Sequence, residues 1–257
     1  MSYCVDLNSD IAEGFGVYKI GLDEEIIKCV TSINIACGWH AGDPLIMNKT
    51  VELAKKYNVA IGAHPGFPDL IGFGRRKLAV SPEEAKAYML YQVGALSAFA
   101  KFHGVKIQHM KLHGAFYNMA ADDPKLANAV LDGMENLDKD IIIMILSGSF
   151  MAKEAKRRGF KVAEEVFADR GYNADGTLVN RNLPGAFVKD PNQAIERVIK
   201  MIKEKKVIAV DGTEIDINAD SICVHGDNSE AIEFVNKIKS SLLNNGIEVK
   251  SLDKFIK

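Results

Sequence analysis

The 257-residue sequence lacks most of the features that assign a chain to a class at a glance. Its four cysteines, Cys4, Cys29, Cys37 and Cys223, are scattered and contain no C-x-x-C pair, which leaves neither a zinc knuckle nor a dithiol redox motif. Reduced thiols are the plain expectation. Lysine and arginine together number 32 against 34 acidic residues, a formal net charge of −2, and no basic run stands out. Charge therefore gives no ground for a nucleic-acid partner or an anionic membrane surface. No apolar run approaches the roughly 20 residues that span a bilayer. The opening MSYCVDLNSD has neither the basic region nor the long apolar run of a signal peptide, and a cytoplasmic location is expected. Neither G-x-S-x-G, G-x-x-x-x-G-K-S/T nor H-E-x-x-H occurs, and Gly72-Phe73-Gly74 lacks the third glycine of a dinucleotide loop. With no linker, low-complexity tract or repeat, residues 1–257 are read as a single domain.

What is present is an alternation. Short apolar runs at 5–10, 32–38, 59–66, 107–114, 141–148, 161–169 and 221–227 are separated by segments carrying helix signals. Ser81-Pro82-Glu83-Glu84 spells a capping box with proline at the first helical position, opening a helix toward His103, itself read as a structural cap before Gly104. Asp43-Pro44, Asp123-Pro124 and Asp190-Pro191 repeat the cap-then-proline start. Strands alternating with helices predict an α/β fold with parallel strands under helices. Seven strand candidates predict a barrel; an open doubly wound sheet is the alternative. Residues 207–217 read as a hairpin appendage turning at Asp211-Gly212, and 170–189 as a long functional loop.

Residues two apart in a strand share a face. That rule places Asp6, Asn8 and Asp10 together, then Asn34, Ala36 and Gly38, Ala60, Gly62 and His64, His109, Lys111 and His113, Glu165 and Asp169, and Cys223, His225 and Asp227. A structural parallel sheet buries apolar residues on both faces. Polar groups on one face of most strands cost several kcal/mol each unless they pair, bind metal or meet a ligand, so the pattern reads as a pocket. His64, His113 and His225 stand at or near strand C-terminal ends and His40 two residues past one, the rim where parallel α/β folds carry active sites. Such groups suit acid–base chemistry near neutrality. Asp10, His40, His64 and His113 are also candidates for a divalent metal, the lesser reading because no tight ligand spacing is present. Arg75, Arg76, Arg170 and Arg181 are candidates to clamp a carboxylate or phosphate. Trp39, the one tryptophan, either walls the pocket or packs outward on a helix. Asp43 is read as a helix cap.

Six stretches resemble the LamB/YcsF family in order along the chain: DLNSDIAEGFG (6–16), NIACGWHAGDP (34–44), GAHPGFPDLIGFGRR (62–76), KLHGAFYN (111–118), EVFADRGYNADGTL (165–178) and CVHGD (223–227). Departures are Ala12 for a usual glycine, Trp39 for phenylalanine, Leu112 for proline and Phe116 for leucine; none removes an ionisable group. The resemblance implies a seven-stranded parallel β/α barrel similar to polysaccharide deacetylases and glycoside hydrolase barrels. It also implies ATP-dependent opening of 5-oxo-L-proline to L-glutamate with two carboxylase-like partner subunits, ATP being bound mainly by those partners. The missing nucleotide signature agrees with that division of labour. On this reading Asp10, Glu13 and His64 are acid–base or metal-binding groups, and His40, His113 and His225 orient water or polarise the carbonyl. Arg75 and Lys111 hold anionic substrate groups, with Asp6, Asn8, Glu165, Asp169, Arg170 and Asp227 completing the substrate site. The rival readings are a stand-alone metal-dependent deacetylase or amidohydrolase, and a non-catalytic substrate-binding protein. A bound divalent metal and self-association into a homo-oligomer stay open.

Overall fold

Along the first strand, β1 (Tyr3–Ile11), Val5, Leu7 and Ile11 alternate with Asp6, Asn8 and Asp10, so one face is apolar and the other polar. In the computed structural model, which describes residues 3–226 and 228–257, the polar face points into a closed barrel and the apolar face outward beneath helices. The barrel continues through β2 (Ser32–Ala36), β3 (Ala60–His64), β4 (Ile107–Met110), β5 (Ile142–Leu146) and β6 (Val162–Phe167). An antiparallel hairpin of β7 (Lys206–Ile208) and β8 (Glu214–Asp216) then stands apart, turning through Gly212 at φ 90°. β9 (Ser221–Cys223) pairs with both β6 and β1, closing a ring of seven parallel strands. A short β10 (Ile247–Val249) pairs with Tyr3–Val5 at the start of β1.

The helices are α1 (Asp23–Ile26), α2 (Pro44–Tyr57), α3 (Pro82–His103), α4 (Gly114–Asp122), α5 (Pro124–Leu137), α6 (Phe150–Arg157), α7 (Pro191–Lys203) and α8 (Ser229–Asn244). Asp43, Asp123 and Asp190 each cap a helix whose next residue is proline, and Ser81 with Glu84 closes the capping box of α3. Among the described residues no helix is long and apolar enough to cross a membrane.

Barrels of this kind usually fill their interior with branched apolar side chains. Here the interior is a hydrogen-bonded polar stack, and the apolar core lies between strands and helices. At its floor Asp6 accepts from the hydroxyls of Thr31 (2.6 Å), Ser32 (2.7 Å) and Ser221 (2.5 Å). Above it the Asn8 amide donates to Glu165 Oε1 (3.0 Å) and Ser221 Oγ (2.7 Å), and the Asn34 amide donates to Asn8 (2.7 Å) and Asp10 (2.7 Å). His109 Nε2 meets the Asn34 side-chain oxygen at 2.6 Å. A Cβ on Gly62 would fall 2.1 Å from that imidazole, so the strand carries glycine where the ring crosses it.

Asp6 is wholly buried, and burial, opposed by the three hydroxyls, pushes its carboxyl up to about 6. The unfolded chain ionises this group near its ordinary value of 3.8. The folded state therefore holds the proton more tightly, and its stability falls as pH rises through that window. Asp6→Asn removes this titration. The stability advantage of the variant over the wild type is expected to widen by about 1–2 kcal/mol between about pH 5 and pH 8. Urea unfolding of both proteins at the two pH values measures it, and a constant difference contradicts it.

Candidate active site

Four rim segments converge at the C-terminal mouth of the barrel. β1 ends at Asp10-Ile11, and Ala12 then takes a left-handed conformation at φ 62° that turns Glu13 back toward the mouth. A glycine, the residue expected here from the family resemblance, would adopt this conformation freely, and the strain of a Cβ there is of order 1 kcal/mol. The loops after β2 and β4 deliver His40 and His113, and His64 is the last residue of β3; all three are buried. The His40 and His113 rings stack with centroids 3.7 Å apart and planes 4° from parallel. His64 stands edge-on to both.

Backbone carbonyls decide where the ring protons are. His64 Nδ1 lies 2.8 Å from the Lys111 carbonyl oxygen, and His113 Nε2 lies 2.8 Å from that of Phe73. A carbonyl only accepts, so both of these nitrogens carry hydrogen. The remaining nitrogens, His64 Nε2 and His113 Nδ1, then face one another at 2.9 Å. Two lone pairs at that distance repel unless a proton or a metal cation lies between them. Glu13 Oε1 approaches His40 Nε2 (3.3 Å) and His113 Nδ1 (3.4 Å), and Asp10 Oδ2 approaches His64 Nε2 (3.4 Å). Among the described residues, Glu13, His40, His64 and His113 each offer a ligand atom, all within 4.8 Å of one another. Asp10, a metal candidate from sequence, sits beside this group, with Oδ1 held by Lys111 (2.9 Å) and Asn34.

Burial acts on each group. It lowers His40 and His113 well below the ordinary histidine range, with neighbouring imidazoles adding to the shift, so both rings favour the neutral form. It also raises Glu13, an effect that Asp10 reinforces and His113 opposes. For Asp10 burial is outweighed by His64 and Lys111, and the carboxyl stays well below its usual value.

Other candidates lie elsewhere. Lys111 is buried with its ammonium bonded to Asp10, Asn8 (3.2 Å) and Glu165 (2.7 Å), so in this structure its donors are committed to the barrel interior. Asp6 and Asn8 belong to the barrel floor and wall, and Glu165 is bonded to Asn8, Lys111 and the Tyr117 hydroxyl (2.7 Å). Arg170 is likewise buried and committed to main-chain partners. Its guanidinium donates to the Ala186 (3.1 Å) and Val179 (2.6 Å) carbonyls and stiffens the 170–189 loop. His225 Nδ1 pairs with Asp169 Oδ2 at 3.3 Å, apart from the histidine cluster. Asp227 lies outside the described residues. Trp39 stacks on Tyr91 (5.3 Å) and meets Tyr88 edge-on (4.9 Å), both on α3, so it packs outward.

Three positioning groups have roles that the sequence does not announce. The buried Gln92 of α3 accepts from Gly66 N–H (2.9 Å) and donates to its carbonyl (2.8 Å), pinning the loop that follows His64. Asn34 is placed on the inner face by alternation, yet only the fold shows it linking Asp10 to His109. Phe73 contributes a main-chain carbonyl, delivered by a left-handed backbone at φ 53°.

The LamB/YcsF family model matches residues 5–257. The chain belongs to the LamB/YcsF family. It is 74% identical, over all of both chains, to a protein from Fusobacterium nucleatum named as the A subunit of 5-oxoprolinase. The structure of a lactam utilization protein from Thermus thermophilus superposes with a TM-score of 0.90 at 42% identity, covering 96% of this chain and 99% of that one. A mutant of a CE4 family pseudoenzyme with restored enzymatic activity superposes with a TM-score of 0.54 at 11% identity, over 100% of this chain and 68% of its own, and shares the fold alone.

The cluster is packed to contact in this family member. A Cβ on Gly66 would lie 2.4 Å from His40 Nδ1. Gly66→Ala is expected to destabilise by about 1–3 kcal/mol and to displace the His40 ring from its stack on His113. Thermal unfolding and the imidazole resonances check both; an unchanged His40 environment contradicts the packing described.

Proposed function

We propose that this LamB/YcsF chain is one component of a cytoplasmic ATP-dependent 5-oxoprolinase, opening 5-oxo-L-proline to L-glutamate with two carboxylase-like partner subunits that carry the nucleotide. The names of its relatives support the substrate. The observation that carries the chemistry is the convergence of Asp10, Glu13, His40, His64 and His113 at one mouth, in mutual reach. A five-membered lactam is a stable amide, and activating its carbonyl oxygen at the expense of ATP makes attack by water feasible. With the γ-phosphoryl group of ATP placed on the carbonyl oxygen by the partners, the water oxygen bonds to the carbonyl carbon and the carbon–nitrogen bond breaks, the nitrogen gaining a proton as the water loses one. The acyl phosphate so formed then loses inorganic phosphate to a second water, leaving L-glutamate. Glu13, its carboxyl raised by burial and set between His40 and His113, takes the proton from water. His64, backed by Asp10 and fixed by the Lys111 carbonyl, returns one to the nitrogen. His40 and His113, stacked on one another, form a single wall beside which the carbonyl sits.

The same residues fit a divalent cation. The tautomers of His64 and His113 are set by carbonyl partners, as in histidine ligands generally, and Glu13 supplies a carboxylate. A cation held by Glu13, His40, His64 and His113 would polarise the lactam carbonyl or acidify the attacking water. This favours a second reading, a metal-dependent amidohydrolase active without partners.

Two measurements test these readings. In the reconstituted three-subunit complex, His64→Ala and Asp10→Ala, shown to be folded by circular dichroism, are expected to lower turnover of 5-oxoproline by about 10²-fold or more. Full activity in either variant sinks the assignment, and turnover of 5-oxoproline or an acetylated sugar by the isolated chain favours the second reading. Separately, chelator-treated chain titrated with Zn²⁺ in a calorimeter distinguishes what lies between His64 and His113. Uptake of one ion, weakened at least about tenfold by His113→Ala, assigns a metal. Absence of uptake by the wild type assigns a shared proton.

A further inference from the structure

The sequence offers four arginines as anion clamps, and the fold separates them into two pairs. Arg76 is tied to Asp69 through Nε (2.9 Å) and a terminal nitrogen, and Arg170 to carbonyls of its own loop. Arg75 and Arg181 have no carboxylate partner among the described residues. Each is laid instead on an aromatic ring. The Arg75 guanidinium lies 5.1 Å from the centre of Phe73, whose ring meets His40 and His113 edge-on at 5.8 and 5.4 Å. The Arg181 guanidinium lies 5.5 Å from the centre of Phe187, in the loop after β6, a ring that Arg170 also covers at 5.1 Å; only Arg181 keeps its donors free of carbonyl partners. Such stacking holds a planar guanidinium in place while leaving its edge donors free. The two cations come from different rim loops yet lie within electrostatic reach of one another. Desolvation and then the charge of Arg75 lower Arg181, while Asp169 and Asp10 oppose them; Arg75 also acts on Glu13 and His40.

We infer that Arg75 and Arg181 form a two-armed receptor for the substrate carboxylate, and that this pair selects a lactam bearing a ring carboxylate over one without it. The inference rests on the lactam reading above. The carboxylate is the one charged group of 5-oxoproline, its amide being neutral, and it flanks the ring nitrogen on the side opposite the carbonyl. A site for it therefore belongs beside the histidine cluster and not within it; Arg75 lies on the Phe73 ring that abuts His40 and His113, and Arg181 is carried by the rim loop after β6. Planar, fork-shaped donors match a carboxylate edge-on, and lysine would not substitute fully.

The test compares three probes, 5-oxoproline, 2-pyrrolidinone (the same ring without the carboxylate) and inorganic phosphate, by calorimetry on the full chain. Arg181→Met and Arg75→Met are each expected to weaken 5-oxoproline by about 10–100-fold and 2-pyrrolidinone by less than about twofold, with Arg181→Lys recovering part of the loss. In the reconstituted complex the same variants are expected to raise KM for 5-oxoproline far more than they lower kcat. Equal loss for both lactams would show that the arginines only shape the mouth and overturns the inference, as does an unchanged KM. Tighter binding of phosphate than of 5-oxoproline, lost in Arg181→Met, reassigns the pair to a phosphoryl group and also overturns it. If the complex fails to open any lactam, the function proposed above falls. Carboxylate binding that depends on Arg75 and Arg181 would then still uphold the receptor.

Discussion

The ammonium of Lys111 is the charge around which the barrel interior is built. It sits 2.9 Å from Asp10, 2.7 Å from Glu165, 3.2 Å from the Asn8 side-chain oxygen and 3.4 Å from the Cys223 sulfur. Burial works against its charge, yet the surrounding carboxylates overcome that and hold it well above the usual lysine range, so it stays cationic. A buried pair of this kind adds little net stability compared with apolar packing, but removing one partner typically costs about 3–5 kcal/mol. Its value here is placement. With Lys111 fixed, Asp10 is held as an anion facing His64, and the Lys111 main-chain carbonyl sets the proton on the other side of the same imidazole. One residue therefore orients both members of the Asp10–His64 pair.

Everything below that level serves as its support. Glu165 is kept in reach of Lys111 by Asn8 and the Tyr117 hydroxyl. Asn34 ties Asp10 to Asn8 and to His109, and the hydroxyls of Thr31, Ser32 and Ser221 close the floor around Asp6. Nearly every donor in this column is bonded, which is the condition under which a polar interior is tolerated. The apolar surface that an ordinary barrel hides inside is moved out to the strand–helix layer, where Leu7, Ile33, Ile35, Ile61 and Met110 are buried. The polar stack and the reactive rim are thus one structure, continuous from Asp6 to Glu13.

The barrel and its polar lining were legible because they rest on a period of two. Alternation alone put Asp6, Asn8, Asp10, Asn34 and Lys111 on the inward face, and the aspartate–proline and Ser81–Glu84 signals marked four helix starts. Function within that face was less legible. Lys111 and Arg75 looked alike as anion binders, but one is sealed among carboxylates and the other lies at the mouth, a difference of depth that spacing does not encode. Arg170 and Arg181 stand in the same loop, and the fold of that loop, with Arg170 bridged to Phe187 and bonded to Val179 and Ala186, buries Arg170 on main-chain carbonyls and leaves Arg181 exposed with its donors free. Gln92 was invisible because it occupies the buried side of α3, where a sequence pattern shows one polar interruption in an apolar stripe. Phe73 acts through its carbonyl, and main-chain groups leave no residue-type signature at all.

The left-handed backbones at Ala12 and Phe73 complete this ordering. Each holds a non-glycine residue in a conformation that costs of order 1 kcal/mol, and each lies next to a group of the cluster: Ala12 before Glu13, Phe73 at the carbonyl that fixes His113. Relaxing either would swing a carboxylate or a carbonyl away from the imidazoles. The strain is held by neighbours on both sides, since Asp23 accepts from the Ala12 N–H (2.9 Å) and Ala115 N–H donates to Gly74, the residue after Phe73 (2.9 Å). The chain thus uses the Phe73 turn and two main-chain carbonyls to bring the free nitrogens of His64 and His113 to 2.9 Å, while the Ala12 turn brings Glu13 to their side. A fold that enforces such an approach has prepared a place for positive charge, as proton or as metal ion, and the lactam opening proposed above would use that charge beside the carbonyl or the departing nitrogen.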